Sequence, residues 1–222
     1  MKIIARIRNP YDSKFGVPRQ SGLAEQVVSE IVFEPEYRVQ EALRGIEEFS
    51  HLWLIWAFDR AERESWSPTV RPPRLGGNRR VGVFATRSPY RPNAIGLSCV
   101  RLLGTEKGSD GIVLKVAGAD LMNGTPIYDI KPYLPYADCV PEATGGFTDR
   151  TEKRTVEVEI PESCAMHMPP ADLEALKAVL REDPRPAYQD DPERIYAFEF
   201  AGKHVEFRVE GHTLYVMAIN NS

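Results

Sequence analysis

Residues 96–130 read GLSCVRLLGTEKGSDGIVLKVAGADLMNGTPIYDI, and the fold turns on this stretch. Three strand-length runs, 96–103, 112–116 and 127–130, are rich in Val, Ile and Leu. Glycine clusters and an Asn123-Gly124 pair separate them, which is strand–turn–strand punctuation rather than helical periodicity. Working outward, the same grammar predicts strands at 3–8, 26–33, 51–58 and 80–85. One helix fits over 37–49, where Val39, Ala42, Leu43, Ile46 and Phe49 recur at helical spacing, weakened near its end by Gly45. Many short strands with few helices predict a mainly β architecture, and a closed β-barrel in particular, because closure removes exposed strand edges.

Past Pro141 the grammar changes. Residues 142–150 contain Gly145-Gly146 and several small polar residues, and read as a linker. Beyond it come a strand at 155–160, an amphipathic helix at 169–182 carrying Leu173, Leu176, Val179 and Leu180, and strands at 195–200, 205–209 and 214–219. Gly202 and Gly211 fall at the tight turns between the last three. The expectation is a β-barrel domain over 1–145 with one short helix, joined to a smaller α+β domain over 151–222.

The totals set the class. The chain has 222 residues, 42% of them hydrophobic, enough for an ordinary core. No apolar run approaches the ~18 residues of a membrane-spanning helix, and the charged N-terminus lacks a signal-peptide cleavage pattern. Cys99, Cys139 and Cys164 are odd in number and far apart, which argues against a disulfide framework and for a reducing, cytoplasmic compartment. The net charge of −4 conceals an asymmetry: between Trp66 and Arg101 lie seven arginines (Arg71, Arg74, Arg79, Arg80, Arg87, Arg91, Arg101), no lysine and no acid. Local field rather than net charge steers a polyanion, and guanidinium groups favour planar or phosphate oxygens.

The chemistry-bearing segments fall in or beside this region. Residues 70–80 combine Pro72-Pro73, Gly76-Gly77 and four arginines; residues 86–93 combine Arg87, Arg91, Tyr90, two prolines and Asn93. Such mixtures suit phosphate contacts with base stacking. Residues 118–126 end a strand with Asp120 and an Asn-Gly turn that hairpins also favour. Asp129 and Lys131 alternate with Ile130, as a surface ion pair would. No GxGxxG, P-loop or GxSxG pattern is present, and His51, His167, His204 and His212 have no metal-ligand spacing with the cysteines.

Longer motifs carry a resemblance. Asn9-Pro10-Tyr11, residues 14–20 (KFGVPRQ), 49–53 (FSHLW), 71–78 (RPPRLGGN), 82–93 (GVFATRSPYRPN), 123–136 (NGTPIYDIKPYLPY) and 183–188 (DPRPAY) follow in order the motifs of the TrmO family, also called TsaA- or YaeB-like. The resemblance covers most of the chain. It implies a dimeric β-barrel methyltransferase that moves a methyl group from S-adenosyl-L-methionine to N6 of threonylcarbamoyladenosine, beside the tRNA anticodon. By the same resemblance the cofactor site draws on Pro18, Arg19, Gln20, Asp59, Arg60, Arg87, Leu97, Asp120, Leu121, Met122 and Asn123. Three positions depart from the family's usual pattern: Asp59-Arg60 for His-Gln, which leaves the role of position 59 open, Ala94 for Pro, and Asn123 for Asp.

The acceptor nitrogen is delocalised and poorly nucleophilic, so a base is expected, and Asp129 or Tyr128 is placed there with Lys131 tuning the pair. Arg19 or Arg87 suits the cofactor carboxylate, and Asp120 its ribose hydroxyls. Arg71, Arg74, Arg79, Arg91 and Asn93, with Arg185 and Tyr188 beyond the linker, are expected to contact the RNA. No metal is expected. Two other readings share these residues: a non-catalytic basic RNA-binding module, and a methyltransferase of the same fold with another acceptor.

Overall fold

The computed structural model describes residues 1–60, 66–77, 79–151, 153–186 and 191–222. The first unit contains β1 (Ala5–Arg8), β2 (Val28–Phe33), β3 (His51–Ala57), β4 (Thr69–Val70), β5 (Val81–Gly82), β6 (Ile95–Gly108), β7 (Gly111–Ala117) and β8 (Pro126–Pro132), followed by the single-turn α1 (Pro135–Asp138). Six strands close into a barrel in the order β1-β2-β7-β6-β3-β8, with Ala5 of β1 opposite Ile127 of β8 completing the ring. Alternation along β3 sends Leu52, Leu54 and Trp56 inward, where they meet Ile7, Ile31, Leu114, Leu121 and Ile127. Burying such side chains is worth ~1.5–3 kcal/mol each before chain entropy is counted. β4 and β5 stay outside the ring as a separate two-stranded arm.

Two sequence expectations fail locally. The helix over 37–49 is three 3-10 turns, Pro35–Tyr37, Gln40–Leu43 and Ile46–Glu48. Gly45 takes the left-handed conformation at φ 83°, while Val39 and Arg44 are extended, so no continuous ladder forms. The turns still bring Tyr37, Leu43 and Ile46 onto the barrel core. The strand over 80–85 stops after Gly82, and Val83–Ala85 curls into a 3-10 turn as the Val83 amide bonds to the Pro68 carbonyl at 3.0 Å. Conversely, β6 runs to Gly108 because a bulge between Leu102 and Gly104 bends the strand without ending it.

The second unit comprises β9 (Glu157–Glu159), α2 (Glu162–Ala165), α3 (Pro170–Arg181), β10 (Tyr196–Phe200), β11 (Lys203–Glu210) and β12 (Thr213–Asn221). The sheet order is β10-β11-β12-β9, with β9 parallel to β12. α3 presents Ala175, Leu176, Val179 and Leu180 to this sheet, and the aromatic rings of Tyr196, Phe198, Phe200 and Phe207 fill the other side of the core.

The loop between β1 and β2 ties the units together. Tyr11, Ala24 and Val27 belong to the core of the second unit, not to the barrel interior. Phe15 lies 6.3 Å from the Tyr196 ring and 6.2 Å from the Phe207 ring, nearly parallel to both. Gly16 lets the loop approach this closely, since a Cβ there would come within 2.5 Å of the Phe198 ring.

Candidate functional site

The site grows from the turn that follows β7. Asp120, at its start, accepts the Ser98 hydroxyl at 2.5 Å, and Ser98 in turn accepts the Trp56 indole N–H at 2.9 Å. Ser98 lies opposite Leu54 and faces into the barrel. Trp56 lies against the bare backbone of Gly96, where a Cβ would sit 2.1 Å from the indole. Burial pushes the Asp120 carboxyl above its ordinary value, opposed by the Ser98 hydrogen bond and the Arg87 charge. Next to it is Tyr11, fully buried, whose hydroxyl has no hydrogen-bond partner among the described residues. Burial and then the Asp120 charge raise the pKa of that phenol.

A chain of polar contacts leads outward. Arg87 Nη1 donates to Gln20 Oε1 at 2.5 Å, and the Gln20 amide donates to the Arg19 carbonyl. Arg19 Nη2 donates to the carbonyl of Arg185 at 3.0 Å. On the far side of the turn, Arg60 Nη2 donates to the Asn123 carbonyl at 3.2 Å, with its other nitrogen 4.0 Å from the Met122 sulfur. The turn itself is held in register: the Asn123 amide bonds to the Tyr11 carbonyl at 2.9 Å, the Asn9 side chain to the Leu121 carbonyl at 2.8 Å, and the Asn123 side chain to Asp12 at 3.3 Å. Gly118 lets residue 22 close beneath it, for its Cβ would lie 3.2 Å from the Gly22 Cα.

The structure therefore gathers Arg19, Gln20, Arg87 and Asp120, with Arg60, Met122 and Asn123 around the same turn. Other expected residues fall elsewhere. Leu121 and Pro18 are buried, so Leu121 serves the barrel core and offers only its backbone. Asp59 is exposed in the turn after β3. Leu97 points outward, opposite Ile55, and Asp129 lies opposite Ile55 on the other side. Leu97, Ile55 and Asp129 thus form one outward row, whereas Ser98 faces inward. Tyr128 is the extra residue of a bulge between the Trp56–Ile127 and Ile55–Asp129 pairs, and bulges re-aim their neighbours. Asp129 is paired with Lys131 at 3.2 Å and accepts the Ile130 amide at 2.9 Å.

Among the expected RNA contacts, Arg71, Arg79 and Asn93 are exposed, and Arg91 donates to the Thr86 carbonyl at 3.2 Å. Only the backbone of Arg74 is described, and Tyr188 lies outside the described residues. Arg185 requires a correction. Its guanidinium forks onto Asp183 at 2.9 and 3.0 Å, and both side chains are more than nine-tenths buried. A cation so enclosed cannot meet a phosphate; it serves the interior. Tyr11, Ser98 and Trp56 were not assigned from sequence. Ser98 had one local signal, a hydroxyl within an apolar strand, but its partner lies 22 residues away.

Among the described residues no group of three His, Cys, Asp or Glu side chains could hold a metal ion, and no helix is long and apolar enough to cross a membrane.

A barrel with a half-buried carboxylate under the influence of the Arg87 charge, and with Arg60 and Arg19 on the adjoining loops, suits a ligand carrying both an anion and hydroxyls. Comparison with known proteins gives the family. The model of the tRNA-methyltransferase O N-terminal domain matches residues 6–139, and that of the TrmO C-terminal domain matches 153–222. The chain is 41% identical to the tRNA (adenine(37)-N6)-methyltransferase of Escherichia coli K12, covering 97% of this chain and 95% of that one. It is 43% identical, over 87% of its length and 85% of the relative's, to a Pseudomonas aeruginosa protein described as an S-adenosylmethionine-dependent methyltransferase. A crystal structure of TrmO superposes with a TM-score of 0.79 at 33% identity, covering 99% of this chain and 97% of that one. The chain belongs to the TrmO family.

Proposed function

We propose that this protein is a cytoplasmic, homodimeric methyltransferase acting on N6 of adenine 37 in tRNA, with threonylcarbamoyladenosine as the nucleoside it recognises. The observation that carries the reading is the contact chain from Arg19 through Gln20 to Arg87, which lies in an arginine-rich segment without acids and whose charge acts on the half-buried Asp120. The relatives' names supply the reaction class.

The residues fit S-adenosyl-L-methionine by the chemistry of their donors. Asp120, desolvated and already an acceptor, offers a carboxylate oxygen to ribose hydroxyls, and the orphaned Tyr11 hydroxyl adjoins it. The Arg19 and Arg87 guanidinium groups answer the amino-acid carboxylate. Met122 and Arg60 border the turn on its open side. When bound, the cofactor supplies an electrophilic methyl carbon. The residues then have three tasks: to hold the acceptor nitrogen in line with that carbon, to keep water away, and to take one proton from N6 as the new N–C bond forms and the S–C bond breaks. Alignment contributes through effective concentration. The proton is assigned to Asp129 or Tyr128 on the outward wall, in the row that contains Leu97, with Lys131 stabilising the carboxylate.

Calorimetric titration with S-adenosyl-L-methionine tests the reading. The wild type is expected to bind, and Arg87→Lys, which loses the forked guanidinium, to bind roughly 10–100-fold more weakly. Methylation is expected with tRNA bearing the threonylcarbamoyl group and not with tRNA lacking it. Absence of binding heat in the wild type would return the chain to the class of non-catalytic RNA-binding modules; equal activity on both tRNAs would change the acceptor.

A further inference from the structure

Two aromatic rings stand in the open on the β4–β5 arm. Phe84 is 72% and Trp66 50% exposed. Their ring centroids are 6.1 Å apart with planes inclined by 29°, so the two lie stacked beside each other.

The local backbone explains why they are held there. Val83 is buried and its amide is fastened to the Pro68 carbonyl, while the Thr86 hydroxyl donates to the Val83 carbonyl at 2.8 Å. With Val83 anchored inward, the 3-10 turn presents Phe84 outward. Across the arm, the Arg80 guanidinium donates to the Thr69 hydroxyl at 2.7 Å and braces the two strands. A pair of exposed aromatics on a braced arm marks an interaction surface rather than core spillover.

The surroundings specify the partner. Every charged residue from Trp66 to Arg101 is an arginine, and Arg71, Arg79 and Arg80 on this arm are exposed. Guanidinium groups beside flat rings form the combination that binds single-stranded nucleic acid, cations on phosphates and rings on base faces. Phe84 precedes Arg87 by three residues, so their Cα atoms lie no more than ~11 Å apart. Arg87 contacts Gln20 and charges the Asp120 environment. The backbone that carries Phe84 therefore lies within about 11 Å of a residue of the proposed cofactor site, and neither ring is one of the residues assigned to that site.

We propose that Phe84 and Trp66 form a stacking platform for an unpaired nucleobase of the anticodon loop, next to the base that is methylated. This rests on the reading of the chain as a tRNA methyltransferase.

The test is binding of an anticodon stem-loop RNA, and of a fully paired RNA hairpin of equal length, to wild type, Phe84→Ala, Trp66→Ala and Phe84→Tyr. Loss of one stacked base is expected to weaken stem-loop binding by roughly five- to a hundred-fold in each alanine variant. The paired hairpin is expected to bind all four proteins alike, and Phe84→Tyr to retain wild-type affinity. The dependence of affinity on salt should be unchanged in the variants, because neither ring displaces counterions. Cofactor affinity and oligomeric state, read by calorimetry and light scattering, should match wild type. Wild-type stem-loop affinity in both alanine variants overturns the platform alone, as does equal weakening toward the paired hairpin. Dissociation of a wild-type dimer by Phe84→Ala overturns it in favour of a contact between copies. A wild type that binds neither RNA overturns the platform together with the tRNA reading.

Discussion

The Arg19 guanidinium donates to the backbone carbonyl of Arg185 at 3.0 Å, so a residue of the proposed cofactor loop is held by the C-terminal unit. Arg185 is immobilised by its forked pairing with Asp183, and Arg19 continues through Gln20 to Arg87. Together with Phe15 lodged against Tyr196 and Phe207, this makes the second unit a scaffold for the loop between β1 and β2.

Breaking the anchor should therefore be felt at the cofactor. Asp183→Asn takes the forked carboxylate away from the buried Arg185 guanidinium, at a cost of up to roughly 3–5 kcal/mol. Urea denaturation should show the loss. Under conditions where the variant stays folded, cofactor affinity should fall several-fold while the rate at saturating cofactor changes little. Unaltered affinity in a destabilised variant would mean that the chain of contacts does not extend past Arg185.

Asp120→Asn should separate stability from binding. Burial holds this carboxyl above its ordinary pKa, so keeping it ionised at neutral pH works against the fold. Since the folded-state value is raised, the penalty is absent in acid, where the group is protonated in both states, and is complete once pH exceeds the raised value. The amide can still accept the Ser98 hydroxyl. The variant is expected to melt at a higher temperature than wild type at pH 7, to converge with it in acid, and to bind cofactor roughly tenfold or more weakly through loss of a charged acceptor. A lower melting temperature at pH 7 would contradict the account.

Asp129→Asn examines the proton acceptor. Single-turnover methylation should slow by roughly 10²–10⁴-fold if this carboxylate receives the N6 proton, with calorimetric cofactor affinity unchanged. A wild-type single-turnover rate would pass the role to Tyr128 or to solvent.

His204 should make the C-terminal sheet sensitive to pH. Its imidazole lies 2.6 Å from Glu199 and 3.6 Å from Glu206, and the Glu199 hydrogen bond raises its pKa, with smaller help from both carboxylate charges. Glu199 is itself held low by Ser222 and His204, so it stays ionised in mild acid. A raised folded-state value means that the stabilisation is complete below the ordinary imidazole pKa and vanishes as pH climbs through the folded one. Wild type should exceed His204→Gln in thermal stability near pH ~5.5 and match it by pH ~9. A gap that widens toward alkaline pH would refute the pairing.

Much of this molecule is written in local pattern. The runs at 96–103, 112–116 and 127–130, with their glycine punctuation, became β6, β7 and β8, and the apolar spacing at 169–182 became α3. These elements were legible because burial on one face imposes a short-range period. The arginine segment was legible because charge needs no fold to be counted. What sequence could not disclose is which way a side chain faces once distant strands meet. Gly45 in the left-handed region divides a helical pattern into turns. The bulge at Tyr128 sets Asp129 on the outer wall, and barrel closure brings Ser98 to Asp120 across the interior. Arg185, which looked like a surface cation, was claimed by a carboxylate two residues away and enclosed. Period follows from the neighbours along the chain; facing and protonation follow from neighbours that only the closed barrel supplies.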